Sequence, residues 1–202
     1  MTDRQFRWGL ANGVAVFAIA GAFWLGLGIG TVAPDAAWPV SALSTLVQVG
    51  VCVALLWAAA RLRRRAGFRR AELRQGDDRA TAETRRIMTG LRWTIAGQAV
   101  LIGLAVWACV HADAEQLIWP AIALAVSLHL VPLARIFHVR AYYVTAAAGS
   151  LLSFAALATW TRPDVVVWLA CGMAIVMWMS AGYLLLNVDK VAARAAAEPW
   201  AV

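Results

Sequence analysis

The sequence predicts an all-α integral membrane protein, a polytopic bundle of six transmembrane helices with both termini in the cytoplasm. Composition, charge-free stretches and the placement of arginines support this prediction. Hydrophobic residues make up 62% of the 202 residues and charged residues only 14%, whereas a soluble domain has roughly 25% charged residues. One core of this size could not bury so much apolar surface, so the surplus must face lipid.

Six stretches without Asp, Glu, Lys or Arg give the number of spans. A helix needs about 20 apolar residues to cross the hydrocarbon layer, and these runs are too long to be strands of a closed barrel. The first run is longer than the roughly 7–15 apolar residues of a signal peptide, so we expect it to be retained. The predicted spans, in a single domain of residues 1–202, are about 8–31, 38–60, 90–111, 116–136, 140–160 and 164–187.

The basic residues predict the orientation. They lie before the first span, in the second and fourth connections and after the sixth span, whereas the other three connections contain Arg162 alone. Because cytoplasmic loops carry the excess of Lys and Arg, both termini are expected in the cytoplasm. The preference for arginine over lysine, with abundant alanine, indicates a GC-rich bacterial genome. We therefore expect the chain in the inner (cell) membrane.

The connection at residues 61–88 is long and rich in arginine. We expect it to extend the second helix as far as Gln75, to turn at residues 75–78, and to begin the next helix with Asp78 as N-cap. Its arginines set the topology, and they can also contact anionic lipid headgroups, worth about 1 kcal/mol per basic residue near the surface. Nucleic acid is not an expected partner, because no recognition helix or aromatic interleaving accompanies the charges. The predicted lipid contacts are Arg61, Arg63, Arg64, Arg65, Arg135 and Arg140.

The most informative polar residue within a span is His129. Pro132 lacks an N–H, so the carbonyl of Leu128 loses its helical partner beside the imidazole. The short turn to the fifth span makes the two helices antiparallel, which places His129 level with Thr145. We predict a hydrogen bond between these two side chains, and the candidates for binding a ligand or a proton here are His129, Thr145 and Ser127. Two interpretations stay open: a histidine that joins two helices, or an imidazole that lines a cavity and binds a proton or a ligand.

Gln48 in the second span and Gln98 in the third form a second candidate site. They lie at similar predicted depths, and we expect their amides to hydrogen-bond to each other. Amide contacts of this kind join membrane helices, and a contact to a ligand is the alternative interpretation.

No motif for catalysis, metal binding or a cofactor is present. His111, Asp113 and Glu115 alternate in a short turn where their side chains diverge, so we expect no metal there. The three cysteines form no CxxC pair, and GxSxG, HExxH and phosphate-binding glycine loops are missing from the sequence. We expect no catalytic residue and no cofactor.

Residues 129–145 contain the pattern HxxPLxxxF followed by YYxT. This pattern resembles one in a family of small, uncharacterised six-span bacterial membrane proteins. Where that family tends to have an aromatic residue after the histidine, this chain has Leu130. The resemblance implies a six-span fold and directs interest to His129, and it implies no activity.

Two functional hypotheses follow. The first is a non-enzymatic membrane protein, a small transporter, channel or accessory subunit, with its polar focus at His129. It predicts a cavity that connects His129 with one water-facing side. The second is a membrane enzyme that acts on a lipid or lipophilic substrate, and it predicts a lateral opening near the inner headgroups. The expected partner is the bilayer with its anionic headgroups on the cytoplasmic side. A homo-oligomer or another membrane protein stays open as a further partner.

Overall fold

The computed structural model describes residues 3–32, 38–67 and 78–197. Within these ranges the chain forms seven α-helices, and six of them are long and apolar enough to cross a membrane. The predicted all-α fold with six membrane-spanning helices is therefore confirmed. A 3₁₀ turn, Glu115–Leu117, precedes the fourth helix. The helices are α1 (Asp3–Val32), α2 (Trp38–Ala66), α3 (Asp78–His111), α4 (Ile118–Phe137), α5 (Arg140–Ala158), α6 (Val165–Leu186) and α7 (Val188–Ala197).

The second helix ends earlier than predicted. Gly67 has a φ of 61°, a left-handed conformation that glycine adopts without strain and that ends helices. The predicted continuation of α2 as far as Gln75 is therefore wrong, and the predicted turn at residues 75–77 lies outside the described residues. The third helix runs unbroken from Asp78 to His111. At 1.5 Å per residue it is about 50 Å long, so it extends beyond the hydrocarbon layer.

The fourth and fifth helices form an antiparallel hairpin. Pro132 lies inside α4, and the helix continues past it. His138 then adopts a left-handed conformation with a φ of 51°, and the Val139 N–H donates to the Ala134 carbonyl at 3.2 Å. This geometry is typical of helix C-termini. Because α5 begins at Arg140, the short turn sets the two helices side by side.

The six long helices pack in the spatial order α2, α1, α6, α5, α4, α3. The most extensive contact joins α1 and α6. Leu169 and Met173 of α6 and Trp24 of α1 are among the largest fully buried side chains, and Gly28 of α1 lies close to Ala170 of α6. Small residues at such contacts let helix backbones approach closely, which is a main source of helix association in lipid.

The second and third helices present mostly exposed apolar side chains. Leu46 and Trp57 of α2 and Val100 and Trp107 of α3 are each more than half exposed. Exposed apolar side chains in such number are typical of a protein that contacts lipid or another protein. The outer faces of α2 and α3 therefore fit an environment of hydrocarbon.

Charged residues lie at the two ends of the bundle, in and near the connections between helices. Successive helices run in opposite directions, so alternate connections lie at the same end. At one end Arg7 of α1 donates to Asp189 of α7 at 2.6 Å. At the other end Arg162 donates to Asp164 at 2.9 and 2.8 Å, and this hydrogen bond lowers the pKa of the Asp164 carboxyl. We name the first of these the basic end. Its cations include Arg7, Arg61, Arg63, Arg64, Arg65, Arg85, Arg86, Arg135, Arg140 and Lys190.

Candidate functional site

A cavity of about 300 Å³ lies between α1, α3 and α4, in the half of the bundle near the basic end. Its walls are mostly apolar, with Phe17, Leu130 and Leu133 among the lining residues. The polar side chains in its wall are Asn12, Gln98, His129 and Tyr142. A concave, mainly apolar cavity with a few polar groups is the usual form of a small-molecule site.

Two glycine residues on α1, which have no side chains, leave room for the cavity. Gly9 and Gly13 lie one turn apart on the face that lines the cavity. A Cβ atom at Gly9 would meet no atom within 4 Å, whereas a Cβ at Gly13 would collide with the Tyr142 hydroxyl. The ring of Tyr142 lies edge-on to Phe17, with 5.5 Å between the ring centres. Gly13 thus leaves room for the hydroxyl group of Tyr142, whereas the position that a Cβ atom of residue 9 would take stays empty.

The cavity has a mouth on the side of the bundle. Val16 of α1 and Ile95 of α3 both line it, and they are 64% and 55% exposed. Side chains that face the cavity and the outer surface at once must lie at its rim. Since both belong to membrane-spanning segments, the mouth opens towards lipid between α1 and α3.

His129 lines this cavity with one nitrogen atom engaged. Its Nδ1 atom lies 2.7 Å from the carbonyl oxygen of Val126. A carbonyl only accepts hydrogen bonds, so Nδ1 carries the hydrogen, and in the neutral imidazole Nε2 is an acceptor. No group of the described chain pairs with Nε2. The side chain can therefore accept a hydrogen bond from a molecule in the cavity.

Gln98 and Asn12 supply two further polar positions. The amide of Gln98 has no hydrogen-bond partner within the described ranges, whereas Asn12 accepts a hydrogen bond from Arg63 of α2. Phe137 of α4 borders the same void as Gly9, which sets the relative level of the two helices. His129 then lies about five residues deeper than Asn12, or roughly 7.5 Å at 1.5 Å per residue.

The predicted hydrogen bond between His129 and Thr145 is wrong. The Thr145 hydroxyl lies 2.6 Å from that of Ser180 in α6 and donates to the Ala141 carbonyl at 2.9 Å. Ser127 is fully buried and donates to the Ala123 carbonyl at 2.8 Å. Neither Ser127 nor Thr145 lines the cavity. Both residues face neighbouring helices, and their small hydroxyl-bearing side chains fit a close helix contact.

The predicted contact between Gln48 and Gln98 is also wrong. Gln48 donates to the Ala22 carbonyl of α1 at 2.6 Å, and it lies against Gly26. Gln98 faces the cavity instead. The two glutamines belong to helices that pack against different neighbours, since α2 packs on α1 and α3 packs on α4.

All six arginines predicted to contact lipid are exposed. The guanidinium of Arg61 stacks on the Trp57 ring at 3.7 Å from the ring centre, and Arg63 reaches Asn12. Their contacts with anionic headgroups stay a prediction. The six arginines of this prediction are Arg61, Arg63, Arg64, Arg65, Arg135 and Arg140.

Sequence reasoning missed several residues of the cavity. In the sequence, the four-residue spacing of Gly9 and Gly13 is typical of helix packing, and Asn12 is one of several polar residues in the spans. Together the three form a short Gly-x-x-Asn-Gly segment in the first span, and a polar residue between glycines within lipid could have directed attention there. Nothing in the sequence identified Tyr142 as a cavity residue, apart from its predicted position near the membrane boundary.

The fold and the site define an integral, multi-pass membrane protein with a lateral cavity. No group of three or more His, Cys, Asp or Glu side chains in the described residues could hold a metal ion. Comparisons with models of known families, with curated proteins and with solved structures found no match to this chain.

Proposed function

We propose that this membrane protein binds a small, largely apolar molecule that enters its cavity from the bilayer. It acts as a transporter-like protein or an accessory subunit rather than as an enzyme. The observation that carries this proposal is the lateral cavity with two open hydrogen-bonding positions, Nε2 of His129 and the Gln98 amide. Because polar groups within lipid are costly, their placement in a cavity wall favours a binding role.

The size and the lining of the cavity support a ligand with one hydrocarbon chain. About 300 Å³ is at the lower limit of small-molecule sites. The mouth between Val16 and Ile95 lets a longer chain extend into the bilayer. A hydroxyl group on the ligand would donate to Nε2 of His129 and accept from the Gln98 amide.

The proposal includes the orientation and the location. The basic end faces the cytoplasm of a bacterial cell, in the inner membrane, because basic residues are retained on that side. There the exposed arginines contact anionic headgroups. The resemblance of residues 129–145 to the family of small six-span bacterial proteins fits this assignment.

Photoaffinity labelling tests the binding function. The probe is dodecanol with a diazirine in its chain, applied to the full-length protein in phosphatidylcholine nanodiscs. We expect saturable labelling of α1, α3 and α4 at the cavity, above a non-saturable background on the outer faces of α2 and α3. Labelling that nowhere saturates would contradict the proposal.

A pair of glycine variants makes this test specific. Gly9→Leu places a side chain into the empty space of the cavity, and we expect it to abolish saturable labelling. Gly103→Leu is the matched control, because a Cβ at Gly103 also meets nothing within 4 Å and Gly103 does not line the cavity. Equal labelling of the two variants would overturn the assignment of the site.

A membrane enzyme acting on a lipid is the second candidate. The lateral mouth is the kind of opening that the enzyme hypothesis predicted, whereas the transporter hypothesis predicted a connection to a water-facing side, and Tyr142 lies in the cavity wall. Mass spectrometry of nanodisc lipids before and after incubation separates the two functions. We expect unchanged lipid masses, and a new lipid product that disappears in Gly9→Leu would favour the enzyme.

A further inference from the structure

Arg63 of α2 reaches the cavity from the basic end. Its Nη2 atom donates a hydrogen bond to Oδ1 of Asn12, and Asn12 lines the cavity. The guanidinium also lies 5.9 Å from the centre of the Trp8 ring, a cation–π contact that helps to hold it in place. The positive charge of Arg63 is therefore in direct contact with a cavity-lining side chain, that of Asn12. None of the cavity-lining residues is a carboxylate.

The protein itself satisfies only part of the hydrogen-bonding capacity of the charged Arg63 guanidinium. The partner of the guanidinium is a neutral amide oxygen, which takes one of its five N–H donors. Arg63 is exposed, so its other donors are open to a ligand at the cavity. Guanidinium groups bind carboxylates and phosphates through short, charge-assisted hydrogen bonds, often in pairs.

We propose that the ligand of this cavity is a single-chain amphiphile with an anionic head, bound by Arg63 and Asn12. The inference rests on the proposed function and adds the chemical class of the ligand. Asn12 and His129 lie roughly 7.5 Å apart in depth, at 1.5 Å of helix rise per residue. An anionic head at Arg63 thus places the middle of the chain beside His129 and Gln98, where a mid-chain hydroxyl group finds both partners.

Competition against the photoreactive dodecanol tests the anionic head. The two competitors are 6-hydroxydodecanoate and dodecane-1,6-diol, which differ only at carbon 1, an anionic carboxylate in the acid and a neutral hydroxymethyl group in the diol. We expect the acid to displace the probe at a concentration about tenfold or more below that of the diol, as a charge-assisted hydrogen bond predicts. Equal potency of the two competitors would overturn the anionic head and leave the proposed function standing. Loss of all saturable labelling would instead contradict the proposed function.

Two variants assign the effect to Arg63. Arg63→Gln should remove the advantage of the acid over the diol, whereas Arg64→Gln, at the neighbouring exposed arginine, should keep it. Asn12→Asp places a carboxylate against Arg63 and should also remove the advantage, while the diol still competes and so reports a folded cavity. An advantage that survives in Arg63→Gln and Asn12→Asp would overturn the proposal.

Nanodiscs that contain phosphatidylglycerol distinguish two sources of the anion. If an anionic lipid headgroup occupies the Arg63 position, these discs abolish the advantage of the acid in the wild-type protein. If the ligand is a free carboxylate, the advantage persists in these discs. Either result supports an anion site when it depends on Arg63, and an advantage equal in Arg63→Gln and wild type would contradict both.

Discussion

The Nδ1 atom of His129 lies 2.7 Å from the carbonyl oxygen of Val126, three residues earlier in the same helix. The imidazole is therefore hydrogen-bonded within α4 and does not join α4 to α5. This bond sets the direction of the ring and leaves Nε2 to the cavity. Of the two interpretations that the sequence left open, the proposed function rests on the histidine that contacts a ligand.

Replacing His129 by leucine should separate binding from folding. Because the lost hydrogen bond lies within one helix, we expect the free energy of unfolding to change by no more than about 1 kcal/mol. Labelling by the photoreactive dodecanol should weaken roughly fivefold to tenfold, the value of one hydrogen bond. Unfolding in bicelles and labelling in nanodiscs measure the two effects. Unchanged labelling, or a variant that no longer folds, would contradict the binding role.

Much of the fold could be predicted because the order of apolar and charged residues along the sequence determines which segments cross the membrane. The interior of each span lacks charged side chains, and the arginines lie at the span ends or between spans, so the number of helices follows from the sequence. The end of α2 shows the limit of such reasoning. Residues 61–74 have a helical composition, yet Gly67 takes a left-handed conformation that ends the helix at Ala66.

The site was less predictable because depth in the membrane does not say which helices are neighbours. Gln48 and Gln98 have similar predicted depths, but Gln48 bonds to α1 and Gln98 faces the cavity. Thr145 lies near the level of His129 but turns towards Ser180. The direction in which a side chain leaves its helix depends on the packing of α1, α6 and α5, and a single sequence does not contain that information.

The hydroxyl pair Thr145 and Ser180 should stabilise the contact between α5 and α6. The two oxygen atoms lie 2.6 Å apart, and Thr145 is only 2% exposed. A double-mutant cycle with Thr145→Val and Ser180→Ala should give a coupling energy of about 0.6 kcal/mol, the average for such pairs in a membrane protein, and of no more than the maximum of about 1.7 kcal/mol. The measurement is equilibrium unfolding in mixed micelles. Strictly additive effects of the two variants would show that the pair contributes nothing.

Gly149 should be the most sensitive glycine of the α4–α5 contact. A Cβ atom there would collide with the Ser127 hydroxyl and lie 3.4 Å from the Met173 sulfur. We expect Gly149→Ala to lower the free energy of unfolding by about 1–3 kcal/mol, as overpacking does. In the control Gly182→Ala the new methyl group meets nothing within 4 Å, so stability should stay equal or rise. The same unfolding assay compares them, and equal stabilities would contradict the close approach of α4 and α5.

Single cysteines at opposite ends of the bundle should report its orientation in the membrane. Arg64 lies at the basic end and Glu115 at the other end, and both are exposed. The three native cysteines lie within spans, so an alanine-substituted background gives the control without labelling. In intact cells a membrane-impermeant maleimide should modify Glu115→Cys and not Arg64→Cys, because basic residues are retained on the cytoplasmic side. In inside-out vesicles the pattern should reverse. Modification of Arg64→Cys in intact cells would place the basic end outside, where the proposed contacts of its arginines with cytoplasmic anionic lipid could not form.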